Sequence, residues 1–284
     1  MRPQSEGHTI AQALRSATLT LQEEEVDSPR LDAEVLLAHH LGLTRSQLLA
    51  RTHFLLSPEL EEGYGALVER RRRREPVAYI TGCKEFYGLE FRVTPEVLIP
   101  RPETEVLVEV ALVLARQGRS PIAEVGTGSG AVAIALARNL PGVKVYATDS
   151  SPSALRVAEE NRRCHQVSLS LLQGDLLEPL PEAVALIVAN LPYLSRQELE
   201  EAQPEVARYE PREALDGGED GLKWHRHLFA QAPEYLLPEG AICLEMGAYQ
   251  AQAVSRLARE EFPQAKMAVV KDLAGLDRVA VILT

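Results

Sequence analysis

Glu124-Val-Gly-Thr-Gly-Ser-Gly130 closes the apolar run Ile122-Ala-Glu-Val-Gly126 and opens a helix-like stretch from Ala131 to Asn139. Glycines at 126, 128 and 130 let the backbone turn sharply and approach a ligand closely, and the helix start is expected to present free N–H groups. Gly126, Thr127, Gly128, Ser129 and Gly130 are therefore candidate ligand contacts. Such a loop serves NAD, FAD, a nucleotide or S-adenosylmethionine, and it also occurs as a plain structural turn. The flanking sequence decides the fold. Short apolar runs at 144–149, 169–175, 185–190, 241–247, 267–273 and 278–284 alternate with helix-like stretches such as Pro152 to His165. That rhythm predicts an α/β fold of βαβ units, with a mostly parallel sheet covered on both faces.

The second strand-like run ends in Asp149, about 20 residues past the loop, where a carboxylate can accept from both ribose hydroxyls of a bound nucleoside. The third closes on Gly174-Asp175-Leu176 at the same sheet edge, where Asp175 can hold an adenine amine and Leu176 its ring face. Each acid alone also reads as a solvated strand end. Together, at these offsets from the glycine loop, they indicate an adenosine-type ligand.

Asn190-Leu-Pro-Tyr193 ends the fourth run. Proline stops the ladder and holds the chain extended, so the Asn190 side chain and the Leu191 carbonyl can both face a cleft at the strand end. Two converging acceptors suit a planar nitrogen that bears two N–H groups. An amide or aromatic amine is a poor nucleophile because its lone pair is delocalised, and binding both its protons would aim it at a methyl sulfonium. Tyr193 can stack on the planar group. No metal and no dedicated nucleophile are expected. The same tetrapeptide also reads as a simple strand-to-turn stop.

The rest of the chain frames this site. At 284 residues, 45% apolar and 25% charged, it is long enough for a main domain and a smaller companion. A formal net charge of -11 argues against sequence-blind clamping of nucleic acid or anionic membrane. Cys83, Cys164 and Cys243 are dispersed, which suggests a reducing compartment and neither a disulfide framework nor a zinc site. The opening MRPQSEGHTI lacks a secretory apolar stretch, and no run of about 18 apolar residues follows, so a cytoplasmic protein without membrane attachment is expected. Residues 1–78 read as a helical domain, with Ile10, Leu14, Leu19 and Leu21, then Leu31, Val35, Leu36, Leu37 and Leu41, on apolar faces. Residues 79–100, around Gly82 and Gly88, read as a β-hairpin linker. Residues 101–284 form the α/β domain.

Several segments carry a resemblance: Glu85-Phe-Tyr-Gly88, Leu98-Ile-Pro-Arg-Pro-Glu-Thr-Glu105, Asn190-Leu-Pro-Tyr193, Tyr209-Glu-Pro-Arg-Glu-Ala-Leu-Asp-Gly-Gly218, Leu244-Glu-Met-Gly247 with Gln250, and Asp272-Leu-Ala-Gly-Leu-Asp-Arg278. The chain resembles, over nearly its whole length, the HemK or PrmC family of protein glutamine methyltransferases that act on peptide chain release factors. The resemblance implies a helical substrate-recognition domain, a hairpin, and a class I (Rossmann-like) methyltransferase domain whose seven-stranded sheet has its last strand antiparallel. It implies S-adenosylmethionine as cofactor, held by residues 126–130, Asp149, Leu176 and Asn190. Asn190, Leu191, Pro192 and Tyr193 would receive the glutamine of a Gly-Gly-Gln motif, and Arg101, Pro102 and Glu103 would border the pocket. Two residues depart from the family pattern: Leu191 stands where Pro is usual, and Glu124 where Asp is more frequent. Asn-Leu-Pro-Tyr is also the spelling of ribosomal RNA adenine dimethyltransferases, so an N6-adenine methyltransferase acting on RNA or DNA remains an alternative. A catalytically silent cofactor-binding module is a third.

Other residues have two readings each. Arg70 to Arg74 suit a solvated helix end whose cations complement the dipole, or an electrostatic handle for an acidic partner face. Arg101 to Glu103 can equally start a helix. His225 and His227 lack ligand spacing and read as packing or surface residues, with Trp224 as a core anchor. Glu210, Arg212 and Asp216 are expected to form a buried charge pair holding a loop. A monomer is expected.

Overall fold

A computed structural model describes residues 7–284. The first six residues of the helical domain, and with them most of the segment read as lacking a signal, lie outside the described part. The chain divides into two compact units, one running to Gly82 and taking in Pro204–Tyr209, the other comprising Cys83–Gln203 and Glu210–Thr284. Among the described residues no helix is long and apolar enough to cross a membrane.

The first unit contains α1 (Ile10–Glu23), α2 (Pro29–His40), α3 (Arg45–Leu49), α4 (Pro58–Arg72) and α5 (Val77–Thr81). Local chemistry sets the starts. Thr9 and Gln12 form a reciprocal capping box before α1, Thr44 and Gln47 do the same before α3, and Ser57 followed by Pro58 opens α4. Ile10, Leu14, Ala17 and Leu21 fall on one stripe of α1 and are buried with Leu36, Leu37 and Leu48, whereas Leu19 and Leu31, expected on the apolar faces, fall off the buried stripes of their helices and are exposed. The hairpin expected from residue 79 begins later. Pro76 starts α5, which continues through Thr81 until Gly82, at φ +76°, ends it, so Tyr79 is helical.

The arginine run closes α4, and its cations are already engaged within this unit. Arg71 Nε donates to Asp32 at 2.7 Å and its Nη2 to Glu205 at 2.8 Å; Arg74 grips both Glu205 oxygens at 2.8 Å. Arg70 pairs with Glu75, Arg72 with Glu24 and Glu69, and Arg73 with Glu69. Arg71 and Arg74 thus do not form a free handle; they anchor α10 (Pro204–Tyr209), which supplies Glu205. Replacing Arg71 with Leu leaves two half-sequestered carboxylates short of a partner and is expected to cost about 3–5 kcal/mol. Urea unfolding read on the helical signal checks this, and an unchanged midpoint would mean that the pair contributes nothing net.

The second unit opens with a hairpin of β1 (Cys83–Phe86) and β2 (Leu89–Arg92). Tyr87 and Gly88, at φ +52° and +70°, make the two-residue turn whose twist matches that of the strands. Phe86 and Phe91 are fully buried on its inner face. After α6 (Glu105–Arg116) come β3 (Ile122–Val125), α7 (Ala131–Asn139), β4 (Val145–Asp149), α8 (Pro152–His165), β5 (Ser170–Gln173), β6 (Val184–Ala189), α9 (Arg196–Glu200), α11 (Lys223–Tyr235), β7 (Leu236–Glu245), α12 (Ala251–Glu261), β8 (Lys266–Lys271) and β9 (Asp277–Leu283).

Among the described residues the main sheet has seven strands, ordered β5-β4-β3-β6-β7-β9-β8. Strands β3 to β7 run parallel, and β9 is antiparallel to both of its neighbours. Leu107, Leu112, Ile134 and Leu136 cover one face from α6 and α7; Leu228, Phe229, Val254 and Ala258 cover the other from α11 and α12. Burial on both faces explains the uninterrupted apolar character of the central strands. Strand β7 begins at Leu236, before the apolar run at 241, because its exposed Pro238-Glu239 segment extends past a register shift opposite β6. The chain order reverses between β3 and β6, so their C-terminal ends open the crevice where α/β sheets bind ligands.

Candidate active site

A cleft lies over those strand ends, lined by Phe86, Leu98, Arg101, Glu124, the residues from Gly126 to Ser129, Asp149, Asp175, Leu176, Asn190, Leu191, Pro192 and Trp224. The glycine loop forms its floor. Gly126 has φ +73°, and a Cβ there would stand 3.1 Å from Leu191 Cδ2, so the loop and the Asn-Leu-Pro-Tyr segment approach too closely for a side chain. At Gly128, φ +54°, the missing Cβ would project into open space, a concavity that a ligand can fill.

Four of the loop's N–H groups are engaged within the protein. Those of Gly126 and Thr127 both donate to Thr148 O at 2.9 Å, that of Gly128 donates to Asp149 Oδ2 at 2.8 Å, and that of Gly130 to Thr127 O at 2.8 Å. The start of α7 is itself met by an acid: Ala133 N donates to Glu124 Oε2 at 3.0 Å, and the Thr127 hydroxyl donates to the same oxygen at 2.5 Å. A carboxyl placed where a pyrophosphate would approach argues against NAD, FAD and other phosphate-bearing ligands. It suits a ligand with cationic groups and no phosphate. Burial pushes the Glu124 carboxyl up to about 8, with the negative charge of Asp149 adding to the effect.

Asp149 is also raised, chiefly by burial, against the backbone N–H groups that favour its charge. Its Oδ1 accepts from Ser151 N at 2.9 Å, and the backbone of Ser150 also favours its charge, which still leaves the carboxylate lone pairs for a ligand hydroxyl. Leu176 sits at φ +44°, buried beside the cleft, and its carbonyl accepts from the Thr148 hydroxyl at 2.7 Å. Asp175 is exposed at the rim, 3.4 Å from Gln231 Nε2. An acid for a ribose diol, an apolar wall for a base and an acidic recess for a cation match the parts of S-adenosylmethionine, so the residues present fit that group.

On the wall of the same cleft, Asn190 Nδ2 donates to Thr104 Oγ1 at 3.2 Å. Neither Asn190 Oδ1 nor the Leu191 carbonyl accepts a hydrogen bond from the described residues. Tyr193 is placed differently from its expected role. It lies outside the cleft lining, its hydroxyl donates to Glu245 Oε1 at 3.2 Å, and burial raises its pKa. Gln250 holds this segment in place by donating to Tyr193 O at 2.9 Å. Of the three residues expected at the border, Arg101 lines the cleft, whereas Pro102 and Glu103 are exposed on the short 3-10 turn Pro102–Thr104.

The charge pair expected among Glu210, Arg212 and Asp216 is a different pair. Glu210 is buried and bonded to Arg101, and also accepts from Ile99 N at 3.3 Å, while Arg212 and Asp216 meet at 3.5 Å in solvent. Sequence spacing favoured the local partner; the tertiary fold brings the distant one. Trp224 is less a core anchor than a wall: it packs against the core on the α11 and α12 face of the sheet, lines the cleft, donates to Asp216 O at 3.1 Å and lies under Lys223. His225 is fully buried and its pKa is lowered by that burial, as a packing residue requires.

Three residues that sequence reasoning passed over hold the site. Thr104 meets Asn190 and Glu245 meets Tyr193, and the motif strings containing them were their only sequence signal. Asn161 of α8 is the third: it donates to Ser129 O at 2.8 Å and Arg92 O at 3.0 Å and accepts from Arg92 N, tying hairpin to glycine loop. No group of acids, histidines and cysteines suited to a metal occurs among the described residues.

The family model described as the PrmC N-terminal domain matches residues 12–82, and that of the methyltransferase small domain matches residues 102–208. A release factor glutamine methyltransferase from Geobacter sulfurreducens is 43% identical over 273 residues, covering 95% of this chain and 95% of that one. One from Moorella thermoacetica is 46% identical over 274 residues, covering 95% and 96%. Among solved structures, a methyltransferase from Pyrococcus furiosus matches 76% of this chain and 97% of its own, with a TM-score of 0.53 and 17% identity, a likeness of fold alone.

Proposed function

The chain belongs to the PrmC/HemK family of release factor glutamine methyltransferases, and we propose that its Asn190 and Leu191 hold the substrate amide while the glycine-loop end of the cleft holds the cofactor. It is an S-adenosylmethionine-dependent protein-glutamine N-methyltransferase whose substrates are peptide chain release factors. When bound, the cofactor supplies a methyl group on a sulfonium, already a good leaving group, so the protein's work is binding and aim.

What supports the site assignment is that Asn190 and Leu191 both line the cleft, with Leu191 against Gly126, and that neither Asn190 Oδ1 nor the Leu191 carbonyl is taken by a described residue. A glutamine side-chain amide has two N–H groups to give them. Held by both, its nitrogen turns its face toward the methyl donor, and the lost freedom is prepaid by the rigid strand end. Leu191 in place of the family's proline keeps the carbonyl, so this grip survives the change. Gly126, Thr127, Gly128 and Ser129, with Glu124, would hold the methionine part of the cofactor, Asp149 the ribose, and Asp175 with Leu176 the adenine. Gly130 serves the loop's shape. Arg101 and Pro192 would border the glutamine, which the resemblance places in a Gly-Gly-Gln motif. Tyr193, turned to Glu245, supports the segment from behind. The acidic net charge supports a protein substrate over a nucleic acid one. We extend the reading to a monomer working in the cytoplasm.

Purified enzyme, methyl-labelled cofactor and a release factor are expected to give label on that glutamine alone, mapped by mass spectrometry. Label on adenine of added RNA, with none on the release factor, would overturn the assignment in favour of the adenine methyltransferase. Cofactor binding without any transfer would leave only a silent module.

A further inference from the structure

The two-acceptor grip works only if the Asn190 amide is turned with oxygen toward the cleft, and an asparagine has no intrinsic preference between its two orientations. We propose that Thr104 is a positioning residue for methyl transfer, its hydroxyl serving as the acceptor that fixes the Asn190 amide with Oδ1 facing the substrate. The inference rests on the reading of Asn190 given above and assigns the group that orients it.

Thr104 closes the short turn at the start of α6, far from Asn190 in sequence, and is 4% exposed. A threonine hydroxyl has one proton to give and lone pairs to receive. Beside it, Glu245 at the end of β7 is a carboxyl that burial raises to about 7 while Thr104, Arg278 and the Tyr193 hydroxyl favour its charged form; its Oε2 is buried with no hydrogen-bond partner among the described residues and is the acceptor open to the Thr104 proton. In its ionised form that carboxyl can only accept, so the oxygen of Thr104 is left to receive, and it receives from Asn190 Nδ2 at 3.2 Å. The reverse amide orientation would set the Asn190 oxygen against the Thr104 oxygen and leave its NH2 without the acceptor it has in Thr104. Arg278, which supports the charge on Glu245, is itself held by Asp272 at 3.0 Å. Direction therefore passes from a carboxylate that touches no substrate, through one hydroxyl, to the side chain that does. A hydrophobic residue of the same shape at 104 would keep the packing and lose the direction.

The test uses the full chain with release factor and labelled cofactor, and compares Thr104→Val, Thr104→Ser, Asn190→Ala and the double variant Thr104→Val/Asn190→Ala. Thr104→Val is expected to lower kcat about 10- to 100-fold, the rate equivalent of one lost buried hydrogen bond, with cofactor affinity changed less than about 3-fold. Thr104→Ser, which keeps the hydroxyl, is expected to regain most of that loss. In the Asn190→Ala background Thr104→Val should change kcat by less than about 3-fold, because the group it orients is gone. Full activity in Thr104→Val, an equal loss in both backgrounds, or a serine variant as slow as the valine one would each overturn the proposal. Should the valine chain not fold, Thr104→Ala carries the same comparison. Full activity in Asn190→Ala alone would instead remove the reading of Asn190, so the two failures are separable.

Discussion

Asn190→Ala is expected to reduce kcat by about 10²–10³-fold, on the scale of removing one preorganised hydrogen-bonding group from an acyl-transfer site. The alanine chain keeps the Leu191 carbonyl, so the substrate amide is held by one acceptor and rotates about that bond, and the reactive face is presented only part of the time. Cofactor affinity should fall much less, since the contacts proposed for the ribose and adenine, Asp149, Asp175 and Leu176, do not involve Asn190. Single-turnover transfer of labelled methyl, together with cofactor binding measured by calorimetry, separates the two effects. A fall in cofactor affinity as large as the fall in rate would mean that Asn190 acts mainly on the cofactor, and the grip would be wrong. Asn190→Asp should do little better than alanine, because the carboxylate cannot donate to Thr104 as the amide does.

The second large effect concerns pH and stability. Glu124 and Glu245 are buried, and burial raises them from 4.5 to about 8 and about 7. In the unfolded chain both return to the ordinary value. Between about pH 4.5 and 8 the folded chain therefore binds more protons than the unfolded one, and stability falls as pH rises through that window. Each group contributes a slope of up to about 1.4 kcal/mol per pH unit. For Glu124 the whole interval corresponds to roughly 3–5 kcal/mol. Glu124→Gln keeps an oxygen for Thr127 and Ala133 N and cannot ionise. Its urea midpoint should match that of the wild type near pH 4.5 and exceed it at pH 8. Parallel midpoints across that range would show that Glu124 titrates normally. The same carboxyl turns its cost to use when a cation lies beside it: cofactor affinity of the wild type should rise with pH through about 8, and that of Glu124→Gln should stay level.

Legibility followed physical range. The α/β alternation could be read because burial on both faces makes central strands continuously apolar, as in Val184 to Ala189. The glycine loop could be read because left-handed backbone at Gly126 and Gly130 excludes other residues. Helix starts at Thr9, Thr44 and Ser57 were encoded within three or four residues. The end of the hairpin's approach was misplaced because Val77 to Thr81, β-branched and aromatic in part, suits a strand as well as a turn of helix, and only Gly82 marks the boundary.

By itself the sequence determined the class of sheet, the position of the cleft at its switch point, and the acids and asparagine facing it. These are properties of periodicity, forced backbone angles and offsets along one chain, and they act over a few residues to a few tens. Tertiary structure alone decided that Arg101 answers Glu210, that Arg71 and Arg74 are spent on Glu205, and that Thr104 and Glu245 stand behind Asn190. A buried charge or hydroxyl must find a partner, but composition does not say which one. That choice is made only when packing brings two distant segments within 3 Å or so, the distance at which a hydrogen bond begins to discriminate.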